Sequence, residues 1–337
     1  MNEKEETLPR ALAIVGPTAS GKSRLALWLA ERLDLPVLCC DSVQVYRGLD
    51  IGSAKPDAAV RERVPHRLID LVAPDASFSA GDYAAAAVRE LGAGPGLLAG
   101  GTGFYLRAAA FTHSGDEIGD ADETGRAAFT AQWEAREREV AGSVHAALVE
   151  RDPATAAEIH PRNVVRAVRA LWLCEAHGQP VSRVRAADPP RARVALALVV
   201  LDPAAASLGA AIDARCDAMM RAGFLAEVEM LREAGYSARH KSMRSLGYRQ
   251  LDEYLEGRHG GSAERERGLA AAVAAIKAET RSYARRQRTY FRHQLAGDAV
   301  VQRVTVDAPL WEPSVDLSRE TAPWIARVEA FLSGVSA

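Results

Sequence analysis

The chain has few of the features that announce metal, disulfide or membrane chemistry. Its 337 residues hold four cysteines, Cys39, Cys40, Cys174 and Cys216. None forms a C-x-x-C pair or a Cys/His cluster, so the sequence offers no zinc site. Cys39 and Cys40 are adjacent and would point to opposite faces of a strand, which disfavours pairing; four reduced thiols are expected. No run of about 18 apolar residues is present to span a bilayer. The start, MNEKEETLPR, is polar and acidic, unlike a secretory signal, and is expected to be a short leader before the first strand. A cytoplasmic protein without a membrane partner is the expectation. Net charge is also small: 42 Lys and Arg against 44 Asp and Glu leave −2, too little for a global pull toward nucleic acid. Lysine is scarce, and two of the five, Lys22 and Lys55, lie in the motifs below.

What is present is a globular composition, 48% apolar and 26% charged, long enough for one large domain or two of moderate size. Short continuous apolar runs at 11–15, 37–40, 96–99 and 194–201 are separated by helical patterns. Such runs mark strands of a parallel sheet covered by helices on both faces. A late strand is expected at 298–306. The first run leads into a helix with Leu25, Leu29 and Leu33 on one stripe. Residues 114–190 have no comparable run, are charged and helical in pattern, and are flanked by Gly- and Pro-rich stretches. The expected fold is therefore α/β, a P-loop NTPase-like parallel sheet flanked by helices with an inserted all-helical domain. Its parts are a first core segment at 1–113, the insertion at 114–190, a second core segment with basic C-terminal helices at 191–310, and a tail at 311–337.

Gly16-Pro17-Thr18-Ala19-Ser20-Gly21-Lys22-Ser23 fits G-x-x-x-x-G-K-[ST] and lies between the first strand and the first helix, where the mechanism needs it. Glycines let the backbone wrap a phosphate, and the helix start offers unpaired N–H groups and partial positive charge. Lys22 adds a full charge, and the Ser23 hydroxyl is the candidate Mg²⁺ ligand. The motif is a nucleotide-binding, ATP-binding signature, yet kinases, hydrolases and other transferases all use it.

In open parallel sheets, ligands bind beyond the carboxyl ends of the strands. Those ends are the loop at 16–23, Asp41-Ser42-Val43-Gln44 and Gly101-Thr102-Gly103. Asp41 thus faces the same crevice as the phosphates, as a general base or an indirect magnesium ligand; a turn or helix cap is the alternative. The stretch 41–56 lacks core periodicity and suits a loop that touches a ligand.

Together these segments resemble the tRNA dimethylallyltransferase (tRNA isopentenyltransferase) family. The resemblance rests on GPTASGKS (16–23), DSVQVYRGLDIGSAKP (41–56), PHRLID (65–70), FSAGDY (78–83), GGTGFYL (100–106), IHPRNVVRAVRAL (159–171), IDARCDAMM (212–220), SLGYRQL (245–251) and TRSYARRQRTYFR (280–292). It implies that the loop, with Arg215, holds the diphosphate of dimethylallyl diphosphate with Mg²⁺. The acceptor implied is the exocyclic amine of the adenine at tRNA position 37, in the anticodon stem-loop. Asp41 would be the base, with Thr18 and Thr102 beside the reacting groups, and Ser42, Val43 and Gln44 would touch the tRNA. A monomer of bacterial type is implied, since the zinc finger of animal and yeast relatives is absent. The chain departs from the family pattern at Trp172, where an acid is usual, at Asn163, where aspartate is common, and at Arg67, where histidine is common.

Arg281, Arg285, Arg288 and Arg292 are spaced four, three and four apart, on one helical face. With Lys277, the first three are the candidate RNA contacts of that helix, and Tyr283, Tyr290 and Phe291 offer stacking surfaces. Arg162, Arg166 and Arg169 repeat the pattern opposite Val164, Val168 and Leu171. Arg126 is the candidate in the poorly matched, acidic 112–130 region. The alternatives are a phosphate-loop kinase of a small metabolite, an RNA-binding protein that holds nucleotide without turnover, and a prenyltransferase acting on free AMP. The basic helix argues against the first and third; only the second would bind stem-loops while transferring nothing.

Overall fold

A computed structural model describes residues 8–112, 123–257, 261–295 and 299–334. The chain forms two compact units, residues 1–110 with 192–337, and residues 111–191. The acidic run at 116–123 lies almost wholly outside the described residues, as does the start of the chain.

The larger unit is built on a six-stranded sheet, β1 (Arg10–Val15), β2 (Val37–Cys40), β3 (His66–Arg67), β4 (Gly96–Gly100), β5 (Ala195–Leu201) and β6 (Val300–Val306). Its order is β3-β2-β4-β1-β5-β6 and every pairing is parallel. The central strands are buried along their length, as helices on both faces require. At the β6 edge exposure alternates along the strand. The two-residue β3 went unrecognised in PHRLID because so short a strand has no period to read. β6 begins at Val300, and the expected start at 298 falls outside the described residues.

The carboxyl ends of β1, β2 and β4 deliver the phosphate loop, Asp41 and Gly101-Thr102. The sheet core (Leu12, Ile14, Leu25, Leu29, Leu97, Val199) also takes in Trp324, Ile325, Val328 and Phe331. Residues 317–331 of the expected 311–337 tail therefore pack into the α/β core. Its last helix, Ile325–Ser333, is pinned where Arg10 Nη1 donates to the Phe331 carbonyl at 2.6 Å. The 32-residue helix Ser262–His293 is about 48 Å long at 1.5 Å per residue. Among the described residues no helix is long and apolar enough to cross a membrane.

The smaller unit is all-helical, with helices Glu123–Glu139, Ser143–Arg151, Pro153–Glu158, Val164–His177 and Val181–Ala187. Val168 and Leu171 enter its core with Val144, Leu148 and Ile159, and Val164 packs beside them. Asn163 caps the helix Val164–His177 by accepting the Arg166 N–H, a role that aspartate and asparagine fill alike. Trp172 is 8% exposed and packs 5.4 Å from the Phe129 ring.

Candidate active site

The phosphate loop leaves β1 at Gly16, where a Cβ would sit 2.5 Å from the Leu201 carbonyl oxygen. Gly21 ends it in a left-handed conformation, φ 89, as the N-cap of helix Lys22–Leu33. Ala19, midway, also has φ 61. Among the described residues the N–H groups of Ala19, Gly21, Lys22 and Ser23 meet no protein acceptor, which leaves four donors at a helix N-terminus for an anion. Thr18 is different. Its N–H donates to Gln287 Oε1 at 2.8 Å, so its hydroxyl is the donor it can offer to a ligand. Gly16 and Pro17, expected among the diphosphate contacts, line neither of the two cavities described below; Pro17 instead offers its carbonyl to Lys22 Nζ at 2.7 Å.

Asp41 stands at the end of β2. Its Oδ1 accepts the N–H groups of Val43 at 2.8 Å and Gln44 at 3.4 Å, so the turn-capping alternative holds for one oxygen while the other is left over. Thr102 lines neither cavity. Its hydroxyl accepts the Ser42 N–H at 3.0 Å and donates to the Ser42 Oγ at 3.4 Å, making it a support for the turn after β2. Gln44 is partly tied down, Nε2 donating to the carbonyls of Ser53 at 3.0 Å and Ala54 at 3.2 Å. Gln287 joins the loops from the long helix, since its Nε2 also donates to the Gly101 carbonyl at 2.9 Å.

Two cavities open on this arrangement. The larger, about 620 Å³, is walled by the phosphate loop from Thr18 to Ser23 and runs along β2 past Asp41, Cys39 and Val37. The smaller, about 260 Å³, is walled by Ser42, Val43, Gly52, Ser245, Leu246 and Gly247 with Thr280. Thr18, Ala19, Asp41, Ser53, Arg215 and Tyr283 line both. The two spaces therefore share a boundary, and Asp41 is the only carboxylate in either lining.

Burial pulls the Lys22 ammonium down to about 7, helped by the Arg215 guanidinium and opposed by Asp41. Burial likewise lowers Arg215, against the pull of Asp41. Arg215 makes no ion pair with a protein carboxylate among the described residues. Two cations beside one carboxylate form a pocket suited to an anion. Tyr283 is raised by burial and then by Asp41, so it stays a neutral donor.

For Mg²⁺ the test is the donor set. No cluster of three metal-ligating side chains exists among the described residues. The exposed Ser23 hydroxyl, beside Lys22 in the larger cavity, has no protein partner among the described residues. That set fits a cation drawing most ligands from phosphate oxygens and water, as Mg²⁺ does.

The expected RNA contacts divide. Lys277 pairs with Asp217 at 2.6 Å, Arg281 with Asp213, and Arg288 with Asp202. Asp202 also takes Arg292 at 2.7 Å. The basic stripe is thus largely matched by carboxylates of the helix Ala205–Arg221 and the end of β5, and among the described residues Arg285 alone of the four candidates is exposed without an ion pair. In the helical unit Arg166 is exposed, whereas Arg126 and Arg169 have partners of their own.

Residues unassigned from sequence carry much of the architecture. Glu227, 4% exposed, accepts the N–H groups of Asp50, Ile51 and Gly52 at 3.1, 2.6 and 3.2 Å and the Tyr248 hydroxyl at 2.6 Å. It fixes the loop that brings Ser53 to both cavities. A glutamate on the apolar stripe of Phe224, Val228 and Leu231 was the signal available. Lys55, read as near a ligand, is instead a buried staple to Asp50 at 2.7 Å and Asp70 at 2.6 Å.

The family model described as IPP transferase matches residues 44–294, and that described as Isopentenyl transferase matches 9–70. A "tRNA dimethylallyltransferase" of a Roseiflexus species is 42% identical over 83% of this chain and 89% of its own. One of Burkholderia vietnamiensis is 38% identical over the full length of both. Among solved structures, the full-length tRNA isopentenylpyrophosphate transferase of Bacillus halodurans superposes with a TM-score of 0.63 at 30% identity, covering 97% of this chain and 98% of that one. A eukaryotic dimethylallyltransferase acting on tRNA shares the fold, with a TM-score of 0.75 at 20% identity over 97% and 80% of the two chains.

Proposed function

The chain belongs to the IPP transferase family, and on that premise we propose that it transfers a dimethylallyl group from dimethylallyl diphosphate to tRNA. The acceptor is the N6 amine of the adenosine at position 37, beside the anticodon, and diphosphate leaves. The observation that carries this reading is the shared boundary of the two cavities at Asp41, Arg215 and Tyr283. One space, walled by the phosphate loop, suits the donor; the other, beside Ser42 and Val43, suits a base withdrawn from its stack.

The chemistry follows from the residues. The free N–H groups of Ala19, Gly21, Lys22 and Ser23, with the Lys22 and Arg215 cations, stabilise the charge that develops on the leaving oxygen. Mg²⁺, held through Ser23 and the diphosphate, would add further neutralisation there. An adenine amine is a weak nucleophile because its lone pair is delocalised into the ring. Asp41 accepts the N6 proton as the new C–N bond forms and the allylic C–O bond breaks. Tyr283, kept neutral, and the Thr18 hydroxyl stand at the junction to orient the reacting groups. Exposed Arg285 and Arg166 offer contacts to the phosphates of the anticodon stem-loop. The working unit is a single chain in the cytoplasm.

The test is incubation of the purified protein with unmodified tRNA and dimethylallyl diphosphate, followed by mass analysis of the nucleosides. One added C5H8 unit on the adenosine of position 37 is expected. A phosphorylated product formed at the expense of ATP would point instead to a kinase.

A further inference from the structure

The match to the IPP transferase model ends at residue 294, yet the chain returns to the donor cavity after that point. Past β6, residues 307–316 lie outside helix and strand, and Leu310 and Trp311 pass directly against Gly21 of the phosphate loop. Arg24, in the first turn of helix Lys22–Leu33, holds them. Its Nη1 donates to the carbonyls of Leu310 at 2.9 Å and Glu312 at 2.7 Å, and its Nη2 to those of Pro313 at 3.3 Å and Val315 at 2.8 Å. A cation beside a phosphate loop would ordinarily be a phosphate ligand; this one is occupied by four carbonyls. Gly21 permits the approach, since a Cβ there would lie 2.6 Å from the Leu310 carbonyl carbon.

Between these anchors stands Trp311. It lines the larger cavity and, like Ala19, packs against Leu208 and Ile212. Its indole N–H donates to no protein acceptor among the described residues. A ring held rigidly at a phosphate cavity, with an unused donor, is arranged to meet an anion without reordering.

We propose that residues 310–315 form the outer wall of the donor site and that Trp311 is a donor-binding residue, its indole N–H donating to a diphosphate oxygen. That the bound diphosphate carries a prenyl group rests on the function proposed above; the diphosphate contact does not. The wall is clamped by contacts internal to the protein, so it stands in place before ligand arrives.

The test uses the full-length protein with Mg²⁺ and two probes, inorganic diphosphate and dimethylallyl diphosphate. Trp28, Trp133, Trp172 and Trp324 line neither cavity, so tryptophan emission should change on binding of either probe, and Trp311→Phe should abolish the change. Phenylalanine keeps a ring and loses the N–H. The KM for the donor should therefore rise about tenfold, the size of one hydrogen bond to a charged acceptor, with the KM for tRNA unchanged. Trp311→Ala should raise it further. The proposal is overturned if the emission change survives Trp311→Phe, if that variant keeps the wild-type donor KM, or if both KM values rise together. Should Trp311→Ala fail to fold, the milder variant carries the test alone. If inorganic diphosphate still reports through Trp311 while no prenyl transfer occurs, the wall stands and the proposed function fails.

Discussion

Asp41→Asn separates the two roles that the structure gives this carboxylate. One oxygen accepts the Val43 and Gln44 N–H groups, and an asparagine carbonyl can keep both bonds while losing the charge and most of the basicity. Loss of the general base should lower single-turnover prenyl transfer about 10²–10⁴-fold, or about 2.7–5.4 kcal/mol in the barrier. Asp41→Ala loses the turn as well, a further cost to stability of about 1 kcal/mol. The assay pairs rapid-quench transfer at saturating donor with filter binding of tRNA and thermal unfolding of each variant. The expected pattern is a large rate loss in both, unchanged tRNA affinity in Asn, and lowered melting only in Ala. An Asn variant within threefold of wild-type turnover would refute the base. Rate and tRNA affinity falling together would make Asp41 a structural or RNA-contacting group.

Lys22, held near 7 in the free site, should take up a proton when an allylic diphosphate binds. About 0.9 proton at pH 8 and about 0.1 at pH 6 follow from that value, and calorimetry in buffers of different ionisation enthalpy reads them; no buffer dependence would contradict it. Because its folded value lies below the ordinary lysine value, holding Lys22 buried costs stability that grows as pH falls from 10.5 toward 7. Lys22→Met should therefore melt higher at neutral pH while losing diphosphate affinity; a lower melting point refutes this. Glu227→Ala strands three N–H groups and the Tyr248 hydroxyl and should cost about 3 kcal/mol by denaturant unfolding; a cost under about 1 kcal/mol would show the loop is held otherwise. Arg285→Ala should remove about 0.7–0.9 from the salt slope of tRNA binding, whereas Arg288→Ala, which leaves the partly buried Asp202 with Arg292 as its one cation, should lower melting more than affinity. The reverse order would restore the paired arginines as the RNA surface.

The sheet and its ligand-bearing edge were legible because both rest on local pattern. Residues 11–15, 37–40 and 194–201 are apolar on both faces, and a loop of eight residues between the first strand and a helix has little freedom in where it lies. Asp41 was legible for the same reason, as the residue that ends a strand beside that loop. What escaped depends on pairing across the sequence. Asp213 lies 68 residues from Arg281 and Asp202 lies 86 from Arg288, so a basic stripe read from helical spacing gave no sign of the carboxylates that neutralise it. Gln287 is 269 residues from the Thr18 N–H it accepts, and inside an arginine-rich helix an amide does not announce itself. The C-terminal segment went unplaced because it packs Trp324, Val328 and Phe331 against core residues far upstream in the chain, and because Arg24 and Arg10 hold it through backbone carbonyls, which any sequence can offer.

A structure of the protein with an anticodon stem-loop and an unreactive analogue of dimethylallyl diphosphate tests the central claim most directly. Diphosphate oxygens are expected on the Ala19, Gly21, Lys22 and Ser23 N–H groups, with a flipped adenine in the smaller cavity, its N6 about 3 Å from the free Asp41 oxygen. An adenine bound elsewhere, or one separated from the donor carbon by protein, would contradict it.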